Sequence, residues 1–337
     1  MRFFIKSKDI GIDLGTSNTL LYVKGKGIVL NEPSVAAIDV VNKRIIAVGS
    51  EAKKMIGRTP KDIVTIKPLK NGVIGDFDVA QHMLKNFIAK VIGKSTFTNS
   101  RIVICHPSMI TEVEKKAINE TITQARARKV MLIEGPVVAA IGAGIPVEEP
   151  VGRMIVDIGG GTTEIAVVSL GGIVTSKTLR VAGDSLNEEI IKYVRKKFNL
   201  MIGEETAESI KIEIGSAYKD DNEEEGNMGV RGRDLTTGLP RIITITEDEI
   251  RESLKEKISL MIDAIRATLE KTEPELAADI MDNGIMLLGG GALLKNIDKL
   301  ISKEIHIPVH IAENPLECVV MGTGKCLGMM DKIGDFK

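Results

Sequence analysis

The sequence predicts an α/β protein assembled from two similar halves, and two observations lead there. The strand-like run Ile10-Gly11-Ile12-Asp13-Leu14-Gly15-Thr16-Ser17-Asn18-Thr19 returns 144 positions later as Ile155-Val156-Asp157-Ile158-Gly159-Gly160-Gly161-Thr162-Thr163. Elsewhere, short β-branched runs bounded by Gly, Asn and Pro alternate with segments whose apolar residues recur near a 3.6-residue period, the patterns of strands and helices in turn. At 337 residues the chain is long enough for two domains, each with its own core.

Residues 10–48 read as a strand meander. Residues 78–91 place Val79, Met83, Leu84, Phe87, Ile88 and Val91 on one face, which predicts a helix packed on a sheet. Ile102-Val103-Ile104-Cys105 is the next strand. Thr111-Glu112-Val113-Glu114 offers a capping box for a helix to about residue 125, and Val130-Met131-Leu132-Ile133 is again a strand. Strand, helix and strand at that spacing make a βαβ unit, so the sheet is mixed with a parallel part. The Ala, Val and Gly of 136–144 predict a tightly packed buried helix. After Asp157 the order repeats, with a meander to about 181 and helices near 186–198 and 205–215. Residues 219–225 read as a solvated acidic loop tip, and 230–246 as two strands around Thr237-Gly238. Ile250, Leu254, Ile258, Met261, Ile262, Ile265 and Leu269 mark one face of a long helix that ends before Pro274.

Each duplicated run delivers an Asp and then a turn of Gly, Ser, Thr and Asn, where small residues let backbone N–H groups approach an anion closely. Two such loops facing each other would enclose a polyphosphate, with Asp13 and Asp157 placed to hold a hydrated Mg²⁺, which prefers oxygen ligands and keeps several waters. A third loop, Met286-Leu287-Leu288-Gly289-Gly290-Gly291-Ala292-Leu293-Leu294, repeats the strand, glycine turn and helix start, and would seat a nucleoside. No G-x-x-x-x-G-K-S/T occurs, and no G-x-G-x-x-G follows the first strand with an acidic residue about 20 positions on. The P-loop and the dinucleotide pocket are thereby excluded.

Composition narrows the rest. The 45 basic and 46 acidic residues give a net charge of −1 and no basic stretch is interleaved with aromatics, so nucleic acid is not an expected partner. Cys105, Cys318 and Cys326 are scattered and form no C-x-x-C pair, which reads as reduced core thiols. His306 and His310 flank Pro308, cannot share a helical face, and read as structural. No run of 18 apolar residues exists and no cleavable signal opens the chain, so a cytoplasmic protein is expected, with any membrane contact peripheral. Phe3, Phe4 and Ile5 stand among Arg2, Lys6 and Lys8, the pattern of a short interfacial anchor or of a frayed lead-in to the first strand.

The three glycine loops in this order resemble the two phosphate motifs and the adenosine motif of the actin-like ATPases. Within that superfamily the chain is most similar to the bacterial cell-shape actins, the MreB family. Segments 25–34, 156–164, 232–240 and 287–294 carry the likeness. The resemblance implies an actin-like ATPase fold, with duplicated ribonuclease H-like domains around a nucleotide cleft. The first domain would be 1–150, with a small subdomain inserted at about 32–75 and segment 318–337 returning to it; the second would be 151–317, with an insertion at about 184–248. It also implies ATP and Mg²⁺ as cofactors. It implies filaments of antiparallel protofilament pairs on the inner face of the cell membrane, and partners in the cell-wall elongation machinery and among paralogous family members. Phe97 falls where relatives carry a second membrane-contacting apolar residue, in keeping with Phe3, Phe4 and Ile5. By the same correspondence Thr16, Ser17 and Asn18 form the first phosphate loop, and Gly159, Gly160, Gly161, Thr162 and Thr163 the second. Asn187 lies near the nucleotide, Glu208, Ser209, Ile210 and Lys211 on a helix at the nucleoside, and Gly289, Gly290, Gly291 and Ala292 in the adenosine loop. Glu208 and Lys211 share a helical face, from which the carboxylate would accept ribose hydroxyls while the Lys stem covers the base; the plain alternative is a surface ion pair.

Two positions depart from the family pattern. In Leu132-Ile133-Glu134-Gly135-Pro136 the family carries a glutamate immediately before the proline, where it helps activate the water that attacks the γ-phosphate; here Gly135 stands in its place. Thr162, the other water-positioning residue, is kept; Glu134 is next door, but adjacent side chains on an extended segment point to opposite faces, so it is a poor substitute unless the turn rotates it inward. ATP binding with slow hydrolysis is therefore expected. Asn187 replaces a usual aspartate and supplies hydrogen bonds without charge. The competing readings are a small-molecule kinase and a chaperone-type ATPase module of the same fold.

Overall fold

The computed structural model describes residues 9–92, 100–106, 111–124, 127, 129–220 and 222–329, so the expectations for Phe3, Phe4, Ile5 and Phe97 lie outside the described residues. The chain divides into two compact units, one of 1–150, 168–173 and 316–337, the other of 151–167 and 174–315.

In the first unit the meander resolves into β1 (Ile10–Leu14), β2 (Asn18–Val23), β3 (Gly27–Pro33), β4 (Ala36–Asp39) and β5 (Arg44–Val48). The short helix α1 (Ser50–Lys53) and strands β6 (Ile63–Ile66), β7 (Leu69–Lys70) and β8 (Val73–Ile74) precede α2 (Phe77–Ile92). Then come β9 (Arg101–His106), α3 (Glu112–Gln124), β10 (Lys129–Glu134) and α4 (Gly135–Gly142). The main sheet has the order β10-β9-β1-β2-β3, parallel from β10 through β9 to β1 and antiparallel beyond, the mixed sheet expected from the βαβ unit.

β9 is apolar on both faces because both faces are covered. Ile10, Ile12, Ile102 and Ile104 pack under Met83, Phe87 and Ile122 of α2 and α3. On the other face Val103, Met131 and Ile133 meet Cys326 and Leu327 of the last helix, α10 (Cys318–Met329). That helix lies very close to α4: a Cβ on Gly142 would overlap the Cys318 carbonyl, and one on Gly322 would overlap the carbonyl of Val138. Only glycine admits such an approach, so α4 and α10 pack backbone against backbone.

The second unit contains β11 (Arg153–Ile158), β12 (Thr163–Ser169), β13 (Gly172–Leu179), α5 (Gly183–Phe198), β14 (Leu200–Met201) and α6 (Glu204–Ile214). They are followed by β15 (Asn227–Asp234), β16 (Pro240–Thr246), α7 (Glu247–Leu269), α8 (Pro274–Asn283), β17 (Ile285–Leu288), α9 (Ile297–Ile305) and β18 (Val309–Ile311). Its main sheet runs β13-β12-β11-β17-β18, with β11, β17 and β18 parallel. Position for position this is the order of the first sheet, so the duplication read in the loops extends to the whole sheet.

α7 starts with a reciprocal cap, since Thr246 Oγ1 accepts from Glu249 N at 3.4 Å while Glu249 Oε2 accepts from Thr246 N at 2.8 Å. Its apolar face, Ile250, Leu254, Ile258 and Ile265, closes the core formed by Val156, Ile165, Leu186, Ile190 and Ile210. Two expectations need correction. The helix start in the third loop is a single 3₁₀ turn, Gly290–Leu293. The acidic segment is not merely solvated, because Asp220 pairs with Lys299 at 2.7 Å and Glu223 with Lys295 at 3.0 Å.

Candidate functional site

The duplicated glycine turns have the same geometry. In the first, Gly15 N donates to Asn18 O at 3.1 Å; in the second, Gly159 N donates to Thr162 O at 2.9 Å. Each turn directly follows a strand that ends in the Asp-Leu or Asp-Ile pair, so Asp13 and Asp157 sit at equivalent places beside their turns.

The first turn is braced by residues that sequence reasoning missed. Ser34 Oγ donates to Gly15 O at 2.7 Å and lies 2.9 Å from Thr19 Oγ1, while Ser34 N donates to Ser17 O at 2.8 Å. Thr16 is buried, and its hydroxyl accepts from Gly72 N at 3.2 Å, at the tip of the β7–β8 hairpin. Asn18 opens β2 opposite Pro33. Asp13 Oδ1 accepts from the Cys105 thiol at 3.4 Å. No single-sequence signal marks Ser34 or Gly72, because each acts from another strand or hairpin.

Around the second turn the second unit gathers several predicted residues. Gly183 N donates to Gly159 O at 3.1 Å and Asp184 N to Gly160 O at 2.8 Å, so the start of α5 is fastened to the glycine turn. Thr163 Oγ1 donates to Val181 O at 2.7 Å. Lys211 Nζ reaches across to Gly183 O at 2.9 Å, which ties α6 to the same place. Asn187 is 3% exposed, and its Oδ1 accepts no hydrogen bond from the described residues. Ser209 spends its hydroxyl on Glu205 O of its own helix, and Ile210 lies wholly in the core.

The third loop closes against the second. Gly289 has φ +75°, and a Cβ there would overlap Asp157 Oδ1 and lie 2.5 Å from Ile158 O; a Cβ on Gly291 would overlap Ile158 Cγ2. Gly290 opens the 3₁₀ turn and Ala292 is buried. Burial pushes the Asp157 carboxyl up to about 6, a cost that a nearby cation would offset. Among the described residues no group of three or more His, Cys, Asp or Glu comes together as a metal cage. Carboxylate oxygens of the Asp13 and Asp157 type are the hard donors that Mg²⁺ accepts.

Glu134 is not a simple substitute for the missing glutamate. Its parallel register partner is His106, on the sheet face of Ile104 and Leu132 under α2 and α3. Asp13, joined to Cys105, belongs to the opposite face with Val103 and Ile133. Gly135 is the first residue of α4 and contributes no side chain of its own.

Two sheets of identical strand order, each with an Asp and a glycine turn at its centre, define an actin-like fold. Solved structures agree: the crystal structure of MreB5 of Spiroplasma citri bound to ADP superposes with a TM-score of 0.92 at 40% identity, covering 98% of this chain and 100% of that one. The same protein bound to AMPPNP gives 0.93 at 41% identity, over 97% and 98%. The family model for the MreB/Mbl protein matches residues 7–335. The cell shape-determining protein Mbl of Bacillus subtilis (strain 168) is 51% identical over 327 residues, 97% of this chain and 98% of that protein. The chain belongs to the MreB/Mbl family.

Proposed function

We propose that this chain is an ATP-binding, filament-forming cell-shape protein that hydrolyses ATP slowly and works from the cytoplasm on the inner face of the cell membrane. The observation that carries the reading is the pair of matching turns, 3.1 Å and 2.9 Å across, each following a strand that carries an Asp. Solved relatives at 40% and 41% identity hold ADP and AMPPNP, which supports a nucleotide here. In this reading Thr16, Ser17 and Asn18 and residues 159–163 hold the phosphates, and Glu208, Lys211 and residues 289–292 the nucleoside. Asp13 and Asp157 hold Mg²⁺ through its waters. The bound ion supplies charge neutralisation for the phosphates.

Slow turnover rests on Gly135. Thr162 remains to orient water, but the position before Pro136 has no carboxylate, and Glu134 lies on the sheet face away from Asp13. Filament assembly, contact with the membrane through Phe3, Phe4, Ile5 and Phe97, and work with cell-wall elongation proteins or paralogues rest on the family resemblance. Among the described residues no helix is long and apolar enough to cross a membrane, so the membrane contact proposed is peripheral.

Sedimentation tests the reading against a kinase or chaperone module. A filament former pellets with Mg-ATP above a critical concentration; protein that binds ATP yet stays in the supernatant at every concentration would contradict it.

A further inference from the structure

The second unit holds one carboxylate at the meeting point of four segments. Glu247, at the first turn of α7, is 5% exposed. Its Oε2 accepts from Gly226 N at 3.2 Å, and Lys295 Nζ donates to both oxygens at 3.2 and 3.3 Å. Arg251 Nη2 donates to Oε1 at 3.2 Å, and Arg251 Nε to Ser216 Oγ at 3.3 Å. Burial alone would raise the Glu247 carboxyl, but the Gly226 amide and Lys295 hold it below its ordinary value, so it is charged at neutral pH.

What these contacts join is specific. Lys295 immediately follows the third glycine loop, and Ser216 lies just beyond Gly215, which caps the end of α6. The two segments pair directly: Ser216 and Lys295 form a parallel bridge, Ala217 N donates to Lys295 O at 2.8 Å, and Asn296 Nδ2 donates to Tyr218 O at 3.2 Å. Lys295 Nζ also pairs with Glu223 at 3.0 Å, which draws in the acidic segment. α6 and the third loop are the two elements assigned above to the nucleoside, and they are stitched together at their far ends around Glu247. The phosphate-loop contacts, Gly159, Gly183 and Lys211, share none of these bonds.

We infer that Glu247 and Lys295 are positioning residues for the nucleoside half of the site, setting the spacing of α6 and the third loop without touching the ligand. This rests on the nucleotide reading above. Only the Glu247 end is buried, so removing Lys295 leaves a buried carboxylate with fewer compensating partners.

The test uses the full chain and two ligands, a fluorescent ATP analogue and inorganic tripolyphosphate, each with Mg²⁺. In Glu247→Gln and Lys295→Met the affinity for the ATP analogue should fall about tenfold while that for tripolyphosphate is unchanged, a nucleoside-specific coupling of ordinary allosteric size. The double variant should be no worse than either single one, since both remove the same link. Lys295 is partly exposed, so Lys295→Met keeps the test open if Glu247→Gln fails to fold. Equal losses for both ligands, or no loss for either in a parent that binds ATP, would overturn the inference. A parent that binds tripolyphosphate but no ATP analogue would overturn the nucleotide reading itself, and the two failures are distinguishable.

Discussion

Replacing Gly289 with alanine probes the closest approach in the site. The new Cβ would overlap Asp157 Oδ1 and lie 2.5 Å from Ile158 O and 2.7 Å from Ile158 C, in a residue with φ +75°. Backbone at Ile158 has little room to move, because β11 lies between β12 and β17. With ψ 172° this is a backbone region essentially reserved for glycine, which costs an L-residue about 1 to 3 kcal/mol, and forced overpacking costs about 1 to 3 kcal/mol, together about 2 to 6 kcal/mol. Gly238 is a control for positive φ without overlap, since its φ is +73° and nothing lies within 4 Å of an added Cβ. Gly238→Ala should therefore cost only the conformational part, about 1 to 2 kcal/mol. In urea unfolding, with a slope of about 3 kcal/mol/M, Gly289→Ala should lower the midpoint by about 1 M and the control by about half as much. Equal shifts for the two variants would refute the argument, because the overlap would then cost nothing.

Three further outcomes are expected. Asp9 accepts from the Arg101 backbone at 3.2 Å and from its guanidinium at 3.1 and 2.5 Å, and although burial opposes it, those bonds hold its carboxyl below the ordinary value. A depressed carboxyl contributes stability above its unfolded pKa and loses it as pH falls through the folded one. Asp9→Asn should thus cost about 1 to 2 kcal/mol at pH 7 in urea titrations, and the gap should close towards pH 3. Asn187→Asp should change ATP affinity by less than about tenfold, or about 1.4 kcal/mol, in a nucleotide titration. Burial pushes the Cys326 thiol up to about 11, so alkylation at pH 8, read by peptide mapping, should be at least roughly tenfold slower than for the unfolded chain.

How much of this was legible in the sequence depended on range. The helix over 78–91 appears as Phe77–Ile92, because Val79, Met83, Leu84, Phe87 and Ile88 announce a buried face at the right period. The strand pair 230–246 starts three residues earlier than read, since Asn227, Met228 and Gly229 gain ladder partners that their own propensities do not suggest. Pro274 was read only as the end of the preceding helix; it is also the first residue of α8, where its missing N–H costs nothing. The glycine loops were visible as local patterns. Their bracing by Ser34, Gly72, Gly183 and the Glu247 cluster was not, because each partner comes from a distant segment and carries no periodic signal. The role of 219–225 was hidden for the same reason: an acidic run looks solvated until Lys295 and Lys299 are brought to it by the fold.

Phosphate release with Mg-ATP under filament-forming conditions, normalised to pelleted protein, is the direct test of a nucleotide-binding filament protein slowed at residue 135. The parent should be slow, and Gly135→Glu faster by about 10²- to 10⁴-fold, the usual contribution of a positioned general base. Equal rates in parent and variant would contradict the claim, and would mean that another group already activates the water.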